Sequence, residues 1–261
     1  MTKQFTAASV LVVTLLFSAL VVKAKPMVEE VSFESKDKVS VNGYWIKSDK
    51  PKSSPTIVLF HQAGASAQGE YKTIYPRLVD SGFNVLMIDL RSGGNRFGGT
   101  NKTAAKMGGK KIGYCEAYPD MNASLDWLNA QTLTGPVIVW GSSYSAGLVF
   151  NLAEENKKEV DGVMGFSPAS GKPMEACKLD GIINKITVPA IAFRPESEMA
   201  YDSVKTQAKL FKSANIPYIE IKKGVHGSSM LVEERTKQNM DHAWEQVYKF
   251  LNQFREKDIK Q

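Results

Sequence analysis

Six short apolar runs that do not alternate with polar residues constrain this chain more than any other feature. They are Thr56–Phe60, Phe83–Ile88, Val137–Trp140, Val163–Phe166, Val188–Phe193 and Tyr218–Ile221. A strand with one wet face alternates, whereas a short continuous apolar run suits a strand covered on both faces, as in a parallel sheet. Between these runs, Tyr71–Leu78, Tyr118–Leu128, Ser145–Glu155, Tyr201–Phe211 and Met240–Phe254 place apolar residues three and four apart, the pattern of helices with one buried stripe. Strands and helices in alternation predict an α/β fold with a mostly parallel sheet flanked by helices. Upstream, Val31, Phe33, Val39, Val41, Tyr44 and Ile46 alternate in part around the polar turn Ser35–Lys38, which predicts two leading strands across residues 29–47.

The 261 residues suffice for one large domain, and no linker, internal repeat or low-complexity segment divides them. The N-terminus is a separate matter. Lys3 precedes an uncharged, mostly apolar run from Phe5 to Val22, which closes on Val22-Lys23-Ala24. That is the layout of a secretory signal peptide. An uncleaved membrane anchor competes with it, because the run is long enough to span and Lys23 and Lys25 lie on the unfavourable flank. The expected division is residues 1–24 as signal peptide or anchor and 25–261 as an α/β domain, exported to the periplasm or secreted. The formal charge of +6 is mild, and Lys3 and Lys23 contribute two of those charges. No RNA- or DNA-binding motif accompanies it, so no nucleic-acid partner is expected, and membrane contact is expected only if the leader is retained. An oxidising compartment permits a bond between Cys115 and Cys177, but two cysteines alone leave their pairing open.

The strongest local signal runs from Val137 through Trp140-Gly141-Ser142-Ser143-Tyr144-Ser145-Ala146-Gly147. An apolar strand enters a cluster of small residues and leaves as a helix. In a G-x-S-x-G elbow, a nucleophilic serine sits on a sharp strand-to-helix turn, and the positions two before and two after it must be small. Ser142 fails, with Trp140 and Tyr144 at those positions. Ser143, between Gly141 and Ser145, and Ser145, between Ser143 and Gly147, both pass. The first elbow glycine closes the strand, and Gly141 follows Trp140 directly, which favours Ser143. A Gly/Ser turn with Ser143 as a plain helix cap is the bland alternative.

A serine hydroxyl attacks only when a base takes its proton. Three histidines are present. His61 precedes the elbow, His242 sits in the last helix, and His226 lies in the Gly-flanked loop after Tyr218–Ile221, where a base is expected. The acid that orients the imidazole belongs in Arg194-Pro195-Glu196-Ser197-Glu198-Met199. Glu198, before an apolar residue, is preferred to Glu196, and Asp202 comes third. Stabilising an oxyanion takes two backbone N–H donors. Tyr144, after the nucleophile, is one. The other belongs in His61-Gln62-Ala63-Gly64-Ala65, with Ala63 first and Gln62 second. Gln62 and Arg96 are also expected to contact substrate, and His61 to hydrogen-bond structurally.

Taken together, Leu59-Phe60-His61-Gln62-Ala63-Gly64, Asp89-Leu90-Arg91-Ser92-Gly93-Gly94, the Ser143 elbow and His226-Gly227 resemble the α/β-hydrolase superfamily, and within it the small dienelactone-hydrolase-like proteins. The resemblance spans nearly all of residues 27–256. It implies an α/β-hydrolase fold without a large cap domain, since Ser167–Lys185 is short. It implies a serine hydrolase acting on a small-molecule carboxylic ester or thioester, with no metal and no organic cofactor. Dienelactone hydrolases proper carry Cys where this chain has Ser143, and Asp where Glu198 is chosen, so dienelactone is not the expected substrate. Asp89 and Arg91 are expected to pin the loop below the site. A peptidase or acyltransferase on the same residues, and a binding protein that kept the fold, are the alternatives. Residues 91–111 hold Arg91, Arg96, Lys102, Lys106, Lys110 and Lys111, six glycines and no acid, which predicts a flexible basic loop bordering the ligand crevice.

Overall fold

In the computed structural model, which describes residues 26–255, all six apolar runs are strands of one sheet. The leader expected over residues 1–24 lies outside the described residues. The strands are β1 (Val28–Glu34), β2 (Ser40–Ile46), β3 (Thr56–Phe60), β4 (Asn84–Asp89), β5 (Val137–Ser142), β6 (Gly162–Phe166), β7 (Ala190–Pro195) and β8 (Tyr218–Ile221). Their order is β1-β2-β4-β3-β5-β6-β7-β8. β1 and β2 join antiparallel at one end, and every pair from β4 to β8 is parallel. β3, β4 and β6 are buried at every position, as their lack of alternation requires. β1, at the edge, alternates between half-buried Val31 and exposed Glu30 and Ser32.

Successive side chains point to opposite faces of a strand, so β5 divides between two cores. Ile138 and Trp140 pack with Met87, Phe166 and the C-terminal helix residues Trp244, Val247 and Leu251. Val139 packs with Val58, Leu86 and the helix residues Met121, Leu125, Leu148 and Val149. The helices are α1 (Ala67–Tyr71), α2 (Tyr75–Asp80), α3 (Lys102–Lys106), α4 (Tyr118–Asn129), α5 (Tyr144–Glu155), α6 (Asp202–Ser213), α7 (Glu233–Thr236) and α8 (Asp241–Leu251). The connection Ser167–Lys185 holds only short 3-10 turns at Lys172–Cys177 and Ile183–Lys185. This is the α/β-hydrolase fold without a large cap.

Two expectations change. The helix foreseen at Tyr71–Leu78 is two helices. Ser66 caps α1, its hydroxyl accepting the Gly69 N–H at 3.0 Å. Pro76 then falls in the first turn of α2, where its missing N–H does no harm but where a helix continuing from α1 would lack a bond. Nor is 91–111 a featureless loop. Asn101 is buried, caps α3 by accepting the Ala104 N–H at 2.7 Å, and donates to the Leu90 carbonyl at 2.9 Å. Asp89 joins both short helices to β4, accepting the N–H of Ala67 and of Lys102 at 2.8 Å each. Burial lifts its carboxyl to about 6, against those two hydrogen bonds.

Candidate active site

Beyond β5 the backbone turns sharply at Ser143, with φ 62° and ψ −117°, before α5 begins. A non-glycine residue there carries strain of order 1–3 kcal/mol, sustained only by its surroundings. The Ser143 N–H donates to the Phe166 carbonyl at 2.8 Å, and its own carbonyl accepts from Ala146 and Ala169 at 3.0 Å each. The tight turn sets the sequence rule. A Cβ on Gly141 would collide with the Ser145 carbonyl. Ser145 fits two residues on because its hydroxyl is absorbed by the backbone, accepting the Ser142 N–H at 2.8 Å and lying 2.7 Å from the Phe60 carbonyl. Ser142 turns its hydroxyl inward. Of the three serines, Ser143 is the one whose Oγ meets an imidazole, 2.8 Å from His226 Nε2, and it makes no side-chain cap bond to α5.

His226 Nδ1 lies 2.6 Å from Glu198 Oε1. The other carboxylate oxygen, Oε2, accepts from Arg194 Nη1 at 2.6 Å. Burial raises the Glu198 carboxyl, but hydrogen bonds from His226 and then Arg194 outweigh it, and the net direction is down. Glu198 thus stays an anion that accepts from the imidazole. Glu196 points to solvent, and Asp202 pairs with Lys205 at 3.1 Å on the surface. His242 is exposed, 3.2 Å from the Lys222 carbonyl. The histidine loop closes onto the elbow at Gly227, whose φ of 69° and lack of a side chain bring it against the Ser142 hydroxyl.

A sequence profile described as the alpha/beta hydrolase fold matches residues 55–186. The chain belongs to the α/β-hydrolase family. The lysophosphatidylserine lipase ABHD12 of Xenopus tropicalis is 24% identical over 136 residues, which is 51% of this chain and 32% of that protein. The chain therefore matches about a third of that relative's length. Among solved structures, an esterase of Pyrococcus furiosus superposes with a TM-score of 0.65 at 18% identity, covering 88% of this chain and 91% of that one. A dienelactone hydrolase of Anabaena variabilis gives 0.65 at 14% identity, covering 88% and 99%. The ferulic acid complex of Est1E from Butyrivibrio proteoclasticus gives 0.67 at 12%, covering 86% and 98%. At these identities the structures share the fold.

In this α/β hydrolase the loop after β3 faces the elbow. The Gln62 N–H is occupied, donating to Glu70 Oε2 at 2.5 Å, so of the two loop donors foreseen, Ala63 and Gln62, only Ala63 remains available. Tyr144 opens α5, where the N–H is free of intrahelical partners and the helix dipole favours negative charge. The Gln62 side chain is also withdrawn from the surface. Its amide donates to Glu70 Oε1 at 2.9 Å and to Ser229 Oγ at 3.3 Å, so the expected substrate contact from Gln62 is replaced by a buried brace. Arg96 is exposed, and its N–H donates to the Gly64 carbonyl at 2.8 Å, which seats it beside the loop after β3. His61 is fully buried. Its Nε2 accepts the Leu90 N–H at 2.9 Å, so Nδ1 carries the proton to the Gln62 carbonyl, also at 2.9 Å. Burial lowers its pKa to about 4 and keeps it neutral.

Two residues that matter here escape the sequence reading. Arg194 is buried at the end of β7 and donates to Glu198, to the Tyr218 hydroxyl at 2.8 Å and to the Pro168 carbonyl at 2.5 Å. An arginine closing an apolar strand just before the acid is the available signal. Glu70 is fully buried in α1 and accepts from Gln62 and from the Ser142 hydroxyl. Burial pushes its carboxyl up, and those hydrogen bonds oppose the shift. One residue ahead of an apolar stripe, it has the sequence appearance of a solvated first-turn acid. Arg91, as expected, pins the lower loop, its guanidinium between Asp37 and Asp120.

Proposed function

We propose that this α/β hydrolase cleaves a carboxylic ester or thioester through an acyl-enzyme on Ser143. The observation that carries the reading is the unbroken series Ser143 Oγ, His226 Nε2, His226 Nδ1, Glu198 Oε1, with contacts of 2.8 and 2.6 Å. His226 takes the hydroxyl proton as Oγ attacks the carbonyl carbon. Glu198 holds the imidazole in the tautomer that accepts it and stabilises the cation. The N–H groups of Ala63 and Tyr144 receive the oxyanion. His226 then protonates the departing alcohol or thiol, and water repeats the sequence to release the acid.

A lipase among the relatives and an esterase among the fold neighbours favour ester substrates over peptides. The absence of a large cap suits a small or exposed ester, bound without nucleic acid. The N-terminal segment supports export, to periplasm or medium, with cleavage before Lys25.

Labelling with a fluorophosphonate, followed by peptide mapping, tests the reading. The label should sit on Ser143, and Ser143→Ala should lose both the label and hydrolysis of an activated ester while its circular dichroism stays unchanged. A label on Ser145, or hydrolysis that survives Ser143→Ala, would overturn it.

A further inference from the structure

A cavity of about 750 Å³ lies apart from Ser143 and His226, between residues 91–95, α3 and the turn 109–114. One wall touches Tyr144, and another is bonded to the loop that carries Ala63. On one side Gly94 donates to the Ala65 carbonyl at 2.8 Å, so this wall is bonded to the loop carrying Ala63. On the other, the Tyr114 ring stacks on Tyr144 with centroids 4.8 Å apart.

We propose that this cavity is an acyl subsite for esters whose acyl chain ends in a carboxylate, read by Lys110 and Lys111. The inference rests on the ester-hydrolase reading above. The sheet order assigns the acyl side. Glu198 and His226 follow β7 and β8, on one side of β5, whereas the cavity follows β4, on the other. The leaving group must depart beside His226 to receive its proton, so the part of the substrate that extends the opposite way, past Ala63 and Tyr144, is the acyl chain.

The cavity lining selects the chemistry. Ala104, Ala105, Ile112 and Pro173 give it apolar walls. Of the basic residues around it, Arg91 is held by Asp37 and Asp120. Lys102 pairs with Glu30 at 2.6 Å, and Lys106 donates to Ser40 and Asn42 at 3.1 Å each, both turned toward β1 and β2. That leaves Lys110 and Lys111, exposed at the rim and in no ion pair among the described residues. Glu116, the nearby acid, lies against Gly113 instead. Apolar walls with two exposed, unpaired lysines at the rim fit an alkyl chain with an anionic end. Hydrolysis of such a half-ester follows the same balance as above: Ser143 Oγ bonds the acyl carbon, the alcohol leaves with the His226 proton, and water releases a dicarboxylate.

The test measures kcat/KM for 4-nitrophenyl half-esters of dicarboxylic acids of increasing length, each against the neutral acyl ester of equal length. At the best length the half-ester should be preferred at least tenfold, and the preference should shrink with salt, since exposed charges are screened over roughly 10 Å at 0.1 M. In Lys110→Gln/Lys111→Gln the ratio should fall to near one. A ratio near one in the unmodified protein at every length, with hydrolysis still dependent on Ser143, would overturn the subsite and leave the ester-hydrolase reading standing. A preference that survives in the double variant would overturn the lysine assignment. Hydrolysis independent of Ser143 would instead sink the underlying reading.

Discussion

Glu70 Oε1 accepts the Ser142 hydroxyl at 2.6 Å, and the same hydroxyl accepts the Ser228 N–H at 2.9 Å. One buried carboxylate is thereby joined to the elbow, to the histidine loop and, through Gln62, to the loop after β3. It does so through hydrogen bonds, although a buried charge is costly unless well compensated. Its positioning role has two consequences. Glu70→Gln keeps the volume but places an NH₂ against at least one of three donors. Leaving a buried group unsatisfied costs about 1–3 kcal/mol, and kcat for a simple ester should fall roughly 10- to 100-fold with KM little changed. The pH dependence follows from the raised carboxyl. The folded state holds its proton more tightly than the unfolded chain, so this group's contribution to stability is fully present below the usual carboxylate value and is lost as pH rises from there through the raised folded-state value. Glu70→Gln does not titrate. The Tm deficit of the variant should therefore narrow as pH rises, and a gap constant with pH would count against the shifted ionisation.

Arg194 acts on the acid in the same indirect way. Its guanidinium, only 4% exposed, fixes the Glu198 oxygen that His226 does not use. Glu198→Gln should lower kcat by several orders of magnitude, as loss of the orienting carboxylate does in comparable triads, and Glu196→Gln should leave it within about twofold on general grounds for a solvated residue. Arg194→Met leaves the half-buried Glu198 carboxylate with His226 as its partner, so stability should fall by less than the ~3–5 kcal/mol of a fully buried broken pair. Denaturant titration and steady-state kinetics on the three variants separate these effects.

What is legible in sequence, and what is not, divides along physical lines. The strands are legible because burial on both faces leaves no polar residue among Ile57, Val58, Leu59 and Phe60. Ser143 is legible because the turn imposes smallness on its neighbours, and the structure shows the collision that a side chain at Gly141 would cause. α3 is hidden by the glycines around it, since helical periodicity over five residues is too short to register. Glu70 and Arg194 are hidden for another reason. A carboxylate or guanidinium is spelled the same whether solvated or buried, and only the packing of α1 under the elbow and of α6 beside β7 distinguishes them. Gln62 misleads on the same ground, because a polar residue in a site loop can brace the protein as readily as face a ligand.

His61 should make the protein sensitive to acid. Its ring is fully buried, with a pKa lowered to about 4, while the unfolded chain protonates near the ordinary value of 6.5. Between those two values the unfolded state binds a proton that the folded state refuses, so stability is lost as pH falls through this window. At about 1.4 kcal/mol per pH unit, the loss is roughly 3 kcal/mol. His61→Gln retains hydrogen-bonding groups and does not titrate. Thermal unfolding from pH 7 to 4 should show a steeper decline for the unmodified protein than for the variant. Parallel declines would assign the acid sensitivity to other groups.

Cys115 and Cys177 are bonded, with Cα atoms 5.7 Å apart across 62 residues of chain. The pairing left open by composition is closed by the fold, which brings the start of α4 to the turn Lys172–Cys177. Cross-linking a loop of this length should stabilise the fold by up to roughly 4 kcal/mol in the chain-entropy account, with native strain reducing it. The bond also joins two walls of the cavity, because Tyr114 precedes Cys115 and Pro173 shares the turn with Cys177. Thiol counting on the unreduced, denatured protein should find no reactive thiol, and two would end the assignment. Cys115→Ser/Cys177→Ser should lower Tm and, by freeing the Pro173 wall, weaken the preference for half-esters more than it slows the neutral ester. Equal losses on both substrates would mean that the bond supports the fold as a whole and has no separate hold on the acyl subsite.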